Sequence, residues 1–558
     1  MAALVAAFLS VPTHRLPAPW MARYHAWVGE PSFNPAPADR VRIAAPLDLD
    51  QICPPEYAAM REAVVIAGVA IEAVDDCMPD NPWDVAVAVL GSNNVSQEVL
   101  MKSLFAPDAI DKGEDRDGDG DPDVIHIRLE VMELNGRSPD GPAVVPQFEI
   151  APGITPGFWV FAPKGRGMTT ISFASPVANR MVRMPGPVIR VEQGDEISVT
   201  LENTHYLPHT IHFHGVDHPF ETADGGGNDG VPLFSEHALA PGAARTYRFT
   251  PRRAGTSFYH CHVQPHSHIL MGLQGMFVVE ENRPNNRLQT FNIGAGRVRV
   301  RSAAVREEYA REYDLHYLEV DRDLNDRIQR YTDPRLVSRA IHRGYNITQR
   351  RAEYYLLNGR SFPYTLRESL VVIAPDEKTK LRVLNGGSEG VSLHFHGHKP
   401  TLTHADGVAL EAGAREQRDV FWIAAAQRVD LSLDSTNDGL NAYGEGAWLL
   451  HDHREQAVTT DGIGPGGDLS LVVYESYLAE RGLPRTVGGV DDLALFFDPA
   501  YYRGELPVFT GMGMAHLNEP GEGGARWLRE GIFWTSIVVI VLFWIATPLY
   551  TRRTGRSR

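Results

Sequence analysis

Four short histidine pairs constrain this chain more than any other feature. They read "HFH" at 212–214, "HCH" at 260–262, "HFH" at 394–396 and "HDH" at 451–453. Two stretches of chain hold two pairs each, in the same order and at similar separation. Most flanks are apolar or aromatic ("HTIHFHG", "SFYHCH", "VSLHFHG", "AWLLHDH"), as strand residues are. In a strand, residues two apart point to the same face, so each pair presents two imidazoles side by side. Imidazole suits copper, zinc, iron and nickel.

The same alternation separates Cys261 from its neighbours. If "YHCHV" is a strand, Cys261 faces away from His260 and His262. One strand then serves two sites, one thiolate and one imidazole. His209 lies three residues before His212 and falls on the thiolate side. His266 and Met271 follow in a turn-prone segment. Cys261, His209, His266 and Met271 make the two-histidine, cysteine and weak-methionine set of a blue-copper electron-transfer centre. Zinc also takes His and Cys, but it has little use for an axial methionine.

These residues resemble the multicopper oxidase family over roughly 165–478. Its pattern H-x-x-H-x-H reads here as "HTIHFH" (209–214), and H-C-H-x-x-x-H-x-x-x-x-M as "HCHVQPHSHILM" (260–271). "HFHG" and "HDH" look like the paired patterns of a domain without type 1 copper. The resemblance implies a mainly β fold of two cupredoxin-like Greek-key barrels. Type 1 copper would use His209, Cys261, His266 and Met271. Type 2 copper would use His212 and His394, and the type 3 pair His214, His260, His262, His396, His451 and His453. About four coppers per chain would pass electrons from a donor to O2. His268 is left without a role.

The second block supplies an internal check. Its counterparts of the four type 1 ligands are Val391, Asp452, Ala457 and Gly462, all non-ligands, while its paired histidines are retained. The cysteine-bearing motif is in the first block, as in two-domain members of the family and unlike three-domain laccases. In such enzymes the cluster lies between subunits. A head-to-tail interface of that kind closes into a ring, so a homotrimer is expected. Asp406 in "HADG" is the favoured acid for delivering protons to reduced oxygen, with Asp229 in "NDG" as second choice. A copper nitrite reductase needs only three histidines at its catalytic copper, and a tethered electron carrier needs only the type 1 site.

The rest of the chain frames this core. With 558 residues, 43% of them hydrophobic, it can bury several cores, and 39 prolines and 51 glycines favour a turn-rich, strand-rich fold. The net charge of -17 argues against nucleic-acid binding. The expected organisation is an N-terminal α/β extension at 1–160, barrels at 165–283 and 312–478, a linker at 284–311 and a Gly/Pro-rich connector at 479–530. "PPEYAAMREAVVIAGVAIEAV" (54–74) reads as a helix, and the segments around Gly194-Asp195 give a hairpin-like signal. Asp115, Asp117, Asp119, Asp121 and Asp123 form either a calcium loop or a solvated acidic turn. Cys53 and Cys77 either pair or stay as thiols. "ALVAAFLSV" is either part of a signal peptide or the first apolar segment of the fold. Residues 531–550 carry no charge and match the length of a membrane helix. Arg552, Arg553, Arg556 and Arg558 in the basic tail 551–558 favour a cytoplasmic C-terminus, with the catalytic blocks on the periplasmic or extracellular side.

Overall fold

The computed structural model describes residues 64–66, 69–71, 110–136, 147–163, most of 182–506, and 534–547. Alternating and fully apolar strands dominate it. The first block contains β3 (Ile110–Lys112), β4 (Val124–Leu134), β5 (Phe158–Pro163), β6 (Val188–Glu192), β7 (Glu196–Glu202), β8 (His212–Phe213), β9 (Ala244–Phe249), β10 (Gly255–His260), β11 (Gln274–Glu280) and β12 (Phe291–Asn292). They form two sheets, ordered β12-β6-β11-β10-β8 and β3-β4-β7-β9, with β5 paired to β4. Ile127, Leu129, Val199, Leu201 and Phe277 pack between them.

The second block repeats the plan. Its strands are β13 (Gly296–Arg297), β14 (Arg311–Val320), β15 (Tyr354–Leu357), β16 (Val371–Ile373), β17 (Lys378–Asn385), β18 (Val391–Phe395), β19 (Thr401–Ala405), β20 (Val408–Ala409), β21 (Val420–Ile423), β22 (Arg428–Asp434), β23 (Ala447–Asp452) and β24 (Ser470–Tyr474). One sheet is β16-β24-β23-β18-β21; the other is β13-β14-β17-β22-β19-β20, with β15 on β14. Leu315, Leu381, Leu393, Phe421 and Leu431 fill the space between.

The structure differs from the sequence expectations at several places. Residues 64–66 (β1, Val64–Ile66) and 69–71 (β2, Val69–Ile71) are not helical but pair antiparallel, Val64 with Ile71. Their β-branched side chains favour extended backbone over helix. Gly194-Asp195 does not close a hairpin. β6 pairs with β11, and β7 with β4 and β9, so this turn hands the chain from one sheet to the other. Gly194 takes φ +105° there, open to glycine at little cost. The first block begins before 165, because β4 runs parallel to β7 from Val124↔Glu196 to Glu130↔Glu202 and β5 pairs with β4. The expected linker contains β12 and β13, which pair with β6 and β14.

The acidic stretch 114–123 is the turn between β3 and β4. Asp115 accepts the N–H groups of Gly118 and Gly120 (2.7 and 3.1 Å), Asp123 that of Asp117 (3.1 Å), and Asp121 that of Asn286 (2.8 Å). Oxygens of Asp115, Asp117 and Asp123 lie within 4.8 Å of one another, but exposed acidic groups of this kind are common without an ion, and no calcium is assigned to the turn. Residues 534–547 are helical, and among the described residues no helix is long and apolar enough to cross a membrane. Cys53, Cys77, residues 1–63 and the basic tail lie outside the described residues.

A helical excursion between β14 and β15 was not foreseen: α2 (Arg322–Asn325), α3 (Arg327–Arg330) and α4 (Pro334–His342). It starts where the Asp321 side chain caps α2 by accepting the Asp323 and Leu324 N–H groups. Leu324, Ile328, Val337 and Ile341 then pack into the core of the first block.

A buried ionic lattice joins the blocks. Arg190 of β6 bonds Asp314 of β14 (2.8 Å). Arg382 of β17 bonds Glu280 of β11 (2.7 Å), Glu312 of β14 (2.5 Å) and Asp430 of β22 (3.0 Å). All six side chains are buried. Beside Arg382 and Arg190, the Glu312 carboxyl is held at about 2 despite its burial. Removing one partner of such a lattice leaves unpaired buried charge, which costs about 3–5 kcal/mol. Arg382→Met should therefore destabilise the protein by about that much in chemical denaturation. Arg252→Ala, which breaks the exposed Arg252–Asp217 pair (3.0 Å), should leave the denaturation midpoint almost unchanged, because water screens an exposed pair. Equal effects would remove the lattice from its structural role.

Candidate metal centre

β10 ends at His260, and the chain continues through Cys261, whose N–H still bonds Leu273 O (3.0 Å). That holds the "HCH" residues extended and splits them between two faces. On one face, Cys261 Sγ lies 3.6 Å from His209 Nδ1 and 3.5 Å from His268 Nδ1. All three are completely buried. The short helix α1 (Pro265–His268) turns His268 inward and leaves His266 exposed. The structure thus brings His209 and Cys261 together as expected, but sets His268 beside them instead of His266. Alternation could not reveal this, because α1 replaces a period of two with a helical one. Met271 is fully buried in the same core as Cys261.

The sulfur lies about 3.5 Å from each nitrogen, and all three donor atoms lie within 4.8 Å of one another, close enough to share one ion. Metal–nitrogen and metal–sulfur bonds of about 2.0 and 2.3 Å place ligand atoms about that far apart in trigonal or tetrahedral geometry. Burial pushes the Cys261 thiol up to about 12 and His209 and His268 well below their ordinary range. The imidazoles are therefore neutral and ready to ligate, whereas the thiol gives up its proton only to a metal.

On the other face, His212, His214, His260 and His262 form a quartet, with ring centroids 5.0–5.7 Å apart among contacting pairs. β8 and β10 create it by pairing His212 with His260. The second block builds the same quartet. β18 pairs His394 with His451 of β23, and His394, His396, His451 and His453 make ring contacts of 4.6–5.6 Å. The likeness extends to atoms. His214 Nε2 meets His260 Nε2 at 2.9 Å, and His396 Nε2 meets His451 Nε2 at 3.3 Å. His260 Nδ1 bonds Cys261 O, and His451 Nδ1 bonds Asp452 O, both at 3.0 Å. His212 and His394 turn Nδ1 to the carbonyls of Asp229 (2.7 Å) and Asp419 (3.2 Å). A ring that donates Nδ1–H to a carbonyl keeps its Nε2 lone pair for a metal, and its orientation is fixed. Burial holds His260 at about 3 and His214 at about 4, so both are neutral at pH 7.

Among the described residues, no ring contact joins the two quartets. Both are partly open to solvent, His453 most of all.

The second block fills the place of the thiolate site with an ion pair. Asp452, the counterpart of Cys261, is buried and bonds Arg454 Nε (2.7 Å) and Ser392 N (3.0 Å). Val391 and Ala457 are buried apolar residues there, and Thr459 stands in the place of His268. Of the two candidate acids, Asp229 touches the first quartet. Its Oδ1 lies 2.7 Å from His218 Nε2 and 3.3 Å from His212 Nδ1. Asp406 instead pairs with Arg428 (3.3 Å) at the head of the β19–β20 turn. His218 belongs to this arrangement and escaped sequence reasoning, because a single histidine outside a pair carries no pattern.

The family model described as multicopper oxidase matches residues 168–284, which contain the whole Cys261 site and the first quartet. Residues 168–284 thus form a multicopper oxidase domain. Over 329 residues it is 25% identical to an iron transport multicopper oxidase of Gibberella zeae, covering 54% of this chain and 46% of that protein. Over 85 residues it is 39% identical to a laccase of Pestalotiopsis fici, covering 14% and 13%. The chain thus spans under half the length of these relatives. Among solved structures it is similar to a multicopper oxidase called mgLAC (TM-score 0.46, 23% identity, 68% of this chain and 92% of that one). It is also similar to a blue copper oxidase from Nitrosomonas europaea (TM-score 0.46, 23% identity, 63% and 86%).

The thiol's burial is directly testable. With Cys53 and Cys77 replaced by serine, metal-free protein at pH 8 should hold about one thiolate in ten thousand at Cys261. Dithiobis(nitrobenzoate) should therefore react only on unfolding. The thiolate fraction rises tenfold per pH unit below the pKa, so any slow labelling should accelerate with pH. Prompt labelling at pH 8 would contradict the site as described.

Proposed function

We propose that the protein is a copper-dependent oxidase that couples one-electron oxidation of a donor to four-electron reduction of O2 to water. The observation that carries this reading is the pair of quartets, matched ring for ring, with a thiolate site behind only the first. Copper at Cys261 would take up single electrons, and copper ions among the eight paired histidines would reduce oxygen. His209, Cys261 and His268 hold the first ion, with Met271 as the weak fourth partner. Of the expected set, His266 yields its place to His268.

The protein's own groups do three things. Cys261 and His260 are adjacent in sequence and face opposite sites, so the chain itself links them. Backbone carbonyls fix the tautomers of His212, His260, His394 and His451. Asp229, beside His212 and His218, is placed to hold a proton next to the quartet, and Asp406 acts only through Arg428 in this reading. A copper nitrite reductase is the weaker alternative, since it leaves the complete second quartet without work.

We further propose that the quartets complete each other between subunits, in a homotrimer. Each is built and oriented as half a site. Exposed apolar residues accompany them: Phe220, Leu233 and Phe234 in the loops after β8, and Trp422 on β21 beside β18. The apolar run 531–550 and its following arginines support attachment to a membrane, with both blocks on the outer face.

Two experiments test this. Copper-loaded protein should hold about four coppers per chain. His268→Ala should lose one of them, together with the thiolate-to-copper absorption, while His266→Ala keeps both; the reverse result would restore His266. Mixing His212→Ala/His260→Ala subunits with His394→Ala/His451→Ala subunits under exchange conditions should regain oxygen uptake, because a mixed interface unites two intact quartets. No recovery on demonstrated exchange would place the cluster within one chain.

A further inference from the structure

Neither imidazole at Cys261 reaches solvent. His209 and His268 are completely buried, and so are Cys261 and Met271. An electron from outside must therefore cross another residue. The outer nitrogen of His209 meets His205 Nδ1 at 2.8 Å, and His205 is itself buried. The outer nitrogen of His268 meets His342 Nε2 at 3.0 Å, with the rings 5.2 Å apart and inclined by 25°. His342 ends α4, is only partly buried, and bonds Ser338 through Nδ1 (3.4 Å). When His268 Nδ1 faces a metal, its Nε2 carries the hydrogen and donates it to His342. That bond is a short path from the site to the surface.

The surface around His342 has a definite charge. Val337 and Ile341 fix the inner face of α4 in the core. Arg335, Arg339 and Arg343 follow at intervals of four and are exposed, so they share the outward side. At 1.5 Å per residue the row spans about 12 Å, which is wider than a small anion. Exposed Leu336 adjoins it. The chain as a whole carries -17, so a cationic row at this place runs against the general charge and would select an anionic partner.

We propose that His342 is the residue through which electrons reach the Cys261 site, and that the Arg335, Arg339 and Arg343 row docks an acidic electron-transfer protein over it. The proposal rests on the reading that Cys261, His209 and His268 hold copper. One electron leaves the partner's reduced metal centre, oxidising it by one unit, and crosses His342 and His268 to reduce the cupric ion to cuprous. No covalent bond to the protein forms or breaks, and no proton has to move.

The test uses the full copper-loaded protein and anaerobic stopped-flow bleaching of the thiolate-to-copper absorption. The probes are reduced plastocyanin with its acidic face, reduced basic cytochrome c and neutral hydroquinone. At low salt the triple variant Arg335→Glu/Arg339→Glu/Arg343→Glu should slow plastocyanin about tenfold or more and quicken cytochrome c, and the difference should vanish at high salt. Its rate with hydroquinone should not change. His342→Ala should keep copper content and absorption yet slow plastocyanin about tenfold. Unchanged plastocyanin rates in the triple variant overturn the docking surface, and unchanged rates in His342→Ala overturn the path. Wild-type protein lacking the absorption or the copper would instead defeat the underlying copper reading.

Discussion

The buried lattice around Arg190 and Arg382 decides what this chain can be. Two guanidinium groups hold four carboxylates from both blocks, out of water. Such a lattice is a poor source of stability compared with apolar packing, since desolvation consumes most of the attraction. It is directional, however. Each arginine satisfies acids on particular strands, so β6 and β11 meet β14, β17 and β22 in one register. Apolar contact alone would tolerate sliding. The seam holds the strand pair that carries one quartet in fixed orientation to the strand pair that carries the other.

Rigidity at the seam also explains how a duplicated unit could divide its work. Both blocks keep the outward quartet, down to the carbonyls that hold the rings. Only the inward position differs. Cys261 in one block is Asp452 in the other, and the second carboxylate is met by Arg454 and Ser392 N. A buried aspartate without such partners would cost several kcal/mol. The ion pair lets the second block lose a metal site without losing its core.

Most of this was legible in the sequence because strands have a period of two. Alternation separates Cys261 from its flanking histidines and predicts both faces correctly, along with His209 on the thiolate side. What alternation cannot read is the chain after a strand ends. In 264–268 the backbone winds into α1, and the inward residue shifts from His266 to His268. The corner at Gly194-Asp195 failed for a related reason. Two alternating segments and a turn describe a hairpin and a sheet-to-sheet corner equally well, and only partners far away, β4 and β11, distinguish them. Sequence alone sets the early strands β4 and β5 apart as an extension, because their place in the first block depends on a parallel pairing of β4 with β7, some seventy residues on.

The excursion α2–α4 shows the same limit with a larger consequence. Its short amphipathic helices carry no metal motif, and His342 is a lone histidine among arginines. Nothing local marks it. Its meaning comes from Val337 and Ile341, which insert into the core of the other block and so carry a residue of the second block to the Cys261 end of the first. A change there that weakens packing would alter access to the Cys261 site without touching any ligand. The surface proposed to receive reductants is thus built by one block and placed over the site of the other. Its position depends on the seam that holds them together.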